Sequence, residues 1–172
     1  MSKESNVVLI GMPGCGKSTL GHRLARQRGL KFIDTDLLVE QYENAPIQQI
    51  VNRRGFLYLR KIEADILSGI EIDGHVIATG GSAVYSRKAM DHLGEIGVRI
   101  YLSISLTTLM RRVNNNATRG LAKMPQHSLP RLYHERLSLY ADTADIVVDN
   151  NWPMTAVRLD SINKQLDEFL SV

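Results

Sequence analysis

GMPGCGKS (11–18) brings three glycines, a lysine and a hydroxyl together between an apolar run and a segment of helical period. Its spacing, G-x-x-x-x-G-K-[ST], belongs to a loop that wraps backbone N–H groups around phosphate oxygens. Gly11, Gly14 and Gly16 let the backbone approach closely, because no Cβ stands between the amides and the ligand. The helix that follows turns its positive end toward the same place. Lys17 can reach the β- and γ-phosphates, Ser18 can offer its hydroxyl to Mg²⁺, and Thr19 continues the nucleotide contact into the helix. Cys15 takes part through its backbone alone. The pattern names a nucleotide-phosphate binder without naming a reaction.

A second pair of reactive groups closes KFIDTD (31–36), where Asp34 and Asp36 stand one residue apart. Like charges this close are tolerable when a cation and a hydroxyl donor share the site. If the strand continues, a period of two points both carboxylates the same way, Asp34 toward Mg²⁺ and Asp36 toward a second substrate. The plainer alternative makes Asp36 the N-cap of a helix starting at LLVE.

Positioning these groups requires a sheet. VVLI (7–10), KFI (31–33), HVIA (75–78), VRIYLSI (98–104) and DIVV (145–148) read as strands, with too little polar alternation for a sheet exposed on one face. Helical periods fall at 17–28, 37–43, 46–53, 56–69, 86–94, 106–113, 128–140 and 154–170. Strand and helix in alternation imply right-handed crossovers and a parallel α/β sheet. Ligands of such sheets collect beyond the carboxyl ends of the strands, so the glycine loop after the first strand and DTD after the second should share one edge. The stretch 113–127 loses periodicity and reads as a mobile loop of the kind that serves as a lid.

The 172 residues suffice for one domain with a real core, spanning 1–172. A net charge of +3 without a Lys/Arg-rich block argues against a nucleic-acid backbone as partner. The N-terminal apolar run is too short for a signal peptide or a membrane span. The single cysteine fits a reducing compartment, and the expected home is the cytoplasm, with a monomer as the default. The five histidines show no metal-ligand spacing.

The order of motifs carries a further reading. GMPGCGKSTLG, then DTD, RKIE (60–63), ATGG (78–81), a lid arginine at 119 and RLSLY (136–140) together resemble the shikimate kinase family, from residue 7 to about 150. The resemblance implies a three-layer α/β/α P-loop fold of the nucleoside monophosphate kinase kind, with a five-stranded parallel sheet in the order 2-3-1-4-5. It implies a substrate-binding helical segment at about 34–62 and a lid at about 113–127. The implied reaction moves the γ-phosphoryl group of ATP, with Mg²⁺, to the 3-hydroxyl of shikimate, an anionic hydroxy acid.

Carried over residue by residue, Asp34 corresponds to the Mg²⁺-linked aspartate and Asp36 to the one that orients or deprotonates the attacking hydroxyl. Arg60 and Arg136 correspond to the pair gripping the substrate carboxylate, a task suited to guanidinium forks. Gly80 and Gly81 match glycines where a backbone N–H approaches the ligand. Arg119 matches the lid arginine that stabilises charge in the transition state, and Arg112 and Pro153 fall where the family sandwiches adenine. Glu63, at i+3 from Arg60, could hold that arginine in position. The plain alternatives are a solvated face for Arg60, a helix-surface charge for Arg136 and a tight turn for Gly80-Gly81.

Departures from the pattern gather on the acceptor side. Phe56 stands where the family shows an acid, Leu59 where it shows an aromatic residue, and Ser82 replaces a third glycine. Gly120 follows the lid arginine in place of proline. A sister enzyme acting on another hydroxy acid such as gluconate, and a non-catalytic nucleotide-binding homologue, are the competing readings.

Overall fold

In the computed structural model, which describes residues 6–115 and 129–171, the Val- and Ile-rich runs pair as parallel strands. They are β1 (Asn6–Ile10), β2 (Lys31–Asp34), β3 (His75–Ala78), β4 (Gly97–Ser103) and β5 (Ile146–Asp149), in the order β2-β3-β1-β4-β5. The register sets Val8 beside Ile77 and Arg99, and Asp34 beside Ala78. Every residue of β1 is buried, as expected of a central strand covered on both faces. β5, at the sheet edge, instead alternates buried and exposed positions.

The helices are α1 (Lys17–Arg28), α2 (Thr35–Glu43), α3 (Ile47–Arg54), α4 (Phe56–Leu67), α5 (Arg87–Ile96), α6 (Leu106–Asn115), α7 (Leu129–Thr143) and α8 (Ala156–Leu170). A short 3-10 turn, Ala83–Tyr85, follows β3. α1 packs on β2 and β3 and meets α8, while α5 and α7 pack on β4. The main core runs through the sheet and both helical layers, with Leu9, Ile10, Leu24, Ile77, Met90 and Ile100 fully enclosed. Each such side chain contributes about 1.5–3 kcal/mol of burial. α2, α3 and the start of α4 bury a smaller core of their own around Val39, Ile47, Ile50, Leu59 and Ile62.

Two local readings need correction. The chain turns helical at Thr35, so Asp36 lies on the first turn of α2 and does not continue the strand period. The cap is Asp34, whose Oδ1 accepts from the Asp36 N–H at 3.0 Å. α6 runs two residues beyond the sequence expectation, to Asn115, and most of the expected lid, with Arg119 and Gly120, lies outside the described residues. No helix among the described residues is long and apolar enough to cross a membrane.

Candidate active site

The loop between β1 and α1 takes its shape from glycine. Gly11, Gly14 and Gly16 have φ values of 145°, 82° and 108°, a region that strains any side chain. Gly16 caps α1 without a side-chain hydrogen bond, which leaves the first-turn amides to a ligand. Lys17 is buried and donates to the carbonyls of Gly11 at 2.8 Å and Met12 at 3.0 Å, so its charge lies across the cradle it belongs to. Cys15 is fully buried, with its carbonyl turned to Arg112 Nη1 at 3.0 Å and Asn150 Nδ2 at 2.7 Å.

Beside the cradle, Ser18 Oγ donates to Asp34 Oδ2 at 3.2 Å. This hydroxyl and carboxylate are hard oxygen donors of the kind Mg²⁺ takes, few enough to leave room for waters and phosphate oxygens. The other Asp34 oxygen is committed to the α2 cap, which fixes the carboxylate plane. The residues present therefore fit the ion.

A cleft of about 700 Å³ runs from Trp152 and Pro153 past Lys17 to Asp36, Glu63 and Arg136. At its nucleotide end Arg112 also donates to the Asn150 carbonyl at 2.7 Å, tying the loop after β5 to the cradle. Arg158 donates to the carbonyls of Trp152 at 2.6 Å and Pro153 at 3.1 Å, which holds Pro153 in place from behind. Thr19 also lines the cleft.

At the other end, four parts of the chain converge. Arg136 of α7 is wholly buried and donates through Nη1 to the Gly81 carbonyl at 3.0 Å and through Nε to the Tyr85 hydroxyl at 3.1 Å. Arg60 of α4 lies over the same tyrosine ring, its guanidinium carbon 3.8 Å from the centroid. The two arginines are thus brought to one side chain, and neither is a solvated surface charge.

Glu63 does not hold Arg60 as the i+3 spacing suggested. It turns inward, where its Oε2 accepts from Ser82 Oγ, and its Oε1 is buried with no hydrogen-bond partner. Burial pushes the Glu63 carboxyl up to about 7; the Ser82 hydrogen bond pulls it down, as do Arg136 and Lys17, while Asp36 pushes it further up. Asp36, Arg136 and Lys17 line the same cleft as this carboxyl, so the cradle and the far pocket meet there. Gly80 is the reason it fits: a Cβ on Gly80 would stand 2.1 Å from Glu63 Oε1 and 3.2 Å from Asp36 Oδ1. The Gly80 N–H, expected to face a ligand, instead donates to Thr35 Oγ1 at 3.1 Å.

Sequence reasoning missed Asn150, Tyr85 and the inward turn of Glu63. Asn150 was detectable as a polar residue directly after an apolar strand, at the sheet edge where ligands gather. Ser82 offered the only sign of a partner for Glu63, and nothing in the sequence marked Tyr85.

With this geometry in place, comparison with known proteins is specific. The shikimate kinase family model matches residues 13–167. The shikimate kinase of Vibrio cholerae is 32% identical over 173 residues, covering 99% of each chain, and that of Vibrio parahaemolyticus is 33% identical over 171 residues. A solved shikimate kinase from Acinetobacter baumannii in complex with shikimate superposes with a TM-score of 0.77 at 26% identity, covering 98% of this chain and 94% of that one. The Aquifex aeolicus shikimate kinase gives 0.76 at 28% identity, with 95% and 96% covered.

Proposed function

The chain belongs to the shikimate kinase family, and from that membership we propose how its cleft performs ATP-dependent phosphorylation of the shikimate 3-hydroxyl. The glycine loop and the α1 amides hold the β- and γ-phosphates, and Lys17 keeps positive charge against them. Arg112 and Pro153 enclose the base. Ser18 and Asp34 would hold Mg²⁺, which when bound neutralises charge on the phosphate oxygens. Arg60 and Arg136 take the substrate carboxylate.

Asp36, on the first turn of α2, faces the hydroxyl that reacts. As that oxygen forms its bond to the γ-phosphorus, the bond from the γ-phosphorus to the β–γ bridging oxygen breaks and ADP leaves. The hydroxyl proton passes to the Asp36 carboxylate and from there to solvent. Arg119, by its place in the motif order, would meet the transferring group from the lid. Catalysis on this reading is positioning and charge stabilisation. We read the protein as a monomer working in the cytoplasm, in keeping with its one buried free thiol.

The observation that carries these roles is one continuous cleft, lined by Lys17, Ser18 and Asp34 on one side and by Asp36, Glu63 and Arg136 on the other. It supports a phosphate site and an anion-binding acceptor site opening on one gap. A coupled ADP-release assay with shikimate, gluconate, quinate and simple polyols tests the acceptor. Stimulation by shikimate above all others is expected, and stimulation by gluconate alone would overturn the named substrate.

A further inference from the structure

The side chain that touches both arginines is Tyr85, at the end of the 3-10 turn after β3. Its hydroxyl accepts from Arg136 Nε at 3.1 Å and donates to Glu135 Oε1, while its ring supports the Arg60 guanidinium at 3.8 Å. The Arg136 guanidinium carbon also lies 5.1 Å from the ring centroid. Tyr85 is itself held firmly. Ala83 and Val84 before it are buried, and Ser86 after it caps α5 by accepting from the Ala89 N–H at 3.2 Å. A ring fixed on both sides in this way can orient what stacks on it.

The manner of support has a chemical consequence. A carboxylate partner would use up guanidinium N–H donors, whereas an aromatic face orients the guanidinium plane and consumes none. Arg60 is supported by aromatic faces: Tyr85, and Phe56 with its centroid 5.3 Å from the guanidinium carbon. Phe56 stands where the family resemblance leads one to expect an acid. The Arg60 Nε is buried without a hydrogen-bond partner, as this arrangement leaves it.

We propose that Tyr85 is a positioning residue for acceptor binding, its ring setting the plane of Arg60 and its hydroxyl the rotation of Arg136, so that both present donors to one carboxylate. The proposal rests on the reading that these arginines grip the acceptor carboxylate. The test compares shikimate with its methyl ester, which lacks the negative charge, as the ratio of kcat/KM values for acid and ester. A side chain that only fills space lowers both rates together; one that aims the arginines lowers the preference for the acid.

Tyr85→Phe, which keeps the ring, is expected to reduce the preference about fivefold, and Tyr85→Leu, which removes both supports, about thirtyfold. The KM for ATP should stay within about twofold in each. Arg136→Ala measured alongside separates two failures. A preference unchanged by Arg136→Ala removes the carboxylate from the arginines and overturns the reading beneath the proposal. A preference lowered by Arg136→Ala and unchanged in Tyr85→Phe and Tyr85→Leu overturns the role of Tyr85 alone.

Discussion

The cradle around Lys17 takes its shape from one continuous stretch, residues 11–18, whereas the pocket around Arg136 is assembled from α2, α4, the turn after β3 and α7. In the cradle, backbone conformation does the work: three glycines at positive φ and a lysine bonded to the loop's own carbonyls. In the pocket, side chains do it, through a buried arginine, a buried glutamate with one unpartnered oxygen, and a tyrosine under two guanidiniums. A backbone site tolerates change in the residues around it, because their side chains do not form it. A side-chain site does not, since each member depends on neighbours far away in sequence. It is nevertheless on the pocket side, where a changed side chain alters what the site can hold, that this chain departs from the pattern it resembles, at Phe56, Leu59 and Ser82, while the cradle matches throughout.

If the two regions divide the labour in this way, Asp36→Asn should produce the largest loss and confine it to chemistry. The substitution keeps the size of the side chain and removes its capacity to take a proton, so kcat should fall about a thousandfold. Asp36 lies on α2, outside the glycine loop, and the KM for ATP should change by less than about threefold. Steady-state kinetics with both substrates varied checks this; a comparable rise in the ATP KM would show that the acid serves the nucleotide as well.

Gly80 and Gly81 sharpen the division further, being adjacent and facing different ways. A Cβ at Gly80 meets Glu63 and Asp36 first, at 2.1 and 3.2 Å, whereas one at Gly81 meets Pro13 of the phosphate loop at 2.6 Å and Arg136 at 3.0 Å. Gly81→Ala must therefore disturb both regions, and the KM values for ATP and acceptor should each rise about tenfold. Gly80→Ala should raise the acceptor KM by a similar factor and leave that for ATP within about twofold. These magnitudes correspond to about 1.4 kcal/mol of lost binding at each affected site. Equal behaviour of the two variants would erase the boundary drawn here.

The same contrast explains what could be read in the sequence. The phosphate loop was legible because its whole geometry is written in consecutive residues, and the strands because Val and Ile run unbroken between turn signals. The strand order came with the family resemblance, and pairing of β1 with β3 and β4 bears it out. Asp36 was misplaced because periodicity cannot tell a strand's last residue from a helix's cap when the chain turns without a loop at Thr35. Glu63 was given the wrong partner because i+3 spacing brings it near Arg60 on the helix surface. Its actual partner, Ser82, comes from an element nineteen residues on, reached only after the α4 face is buried. Tyr85 carries no local signature, since its role exists only once α4 and α7 stand on either side of it.

A last effect leaves the kinetics aside and concerns stability, and its sign follows from the buried carboxyl. The Glu63 proton is held up to about 7, against an ordinary value of 4.5, chiefly because burial disfavours the anion. An acid whose native value is raised binds its proton more tightly folded than unfolded. The contribution of Glu63 to stability is therefore greatest below about pH 4.5, declines as pH rises toward about 7, and is level above it. Glu63→Gln has no charge to bury, keeps an oxygen for Ser82, and can turn its amide toward Asp36. Its advantage over the parent chain should be near zero at pH 4.5 and grow to about 3 kcal/mol by pH 8. Urea unfolding at several pH values measures that difference directly. A difference flat in pH would mean that Glu63 is charged or neutral alike in both states, so that the pocket holds the carboxylate without cost and the two halves of the cleft are equally well satisfied. A difference that grows with pH would place the electrostatic strain of the cleft on the acceptor side, where its side chains are assembled from the greatest distances along the chain.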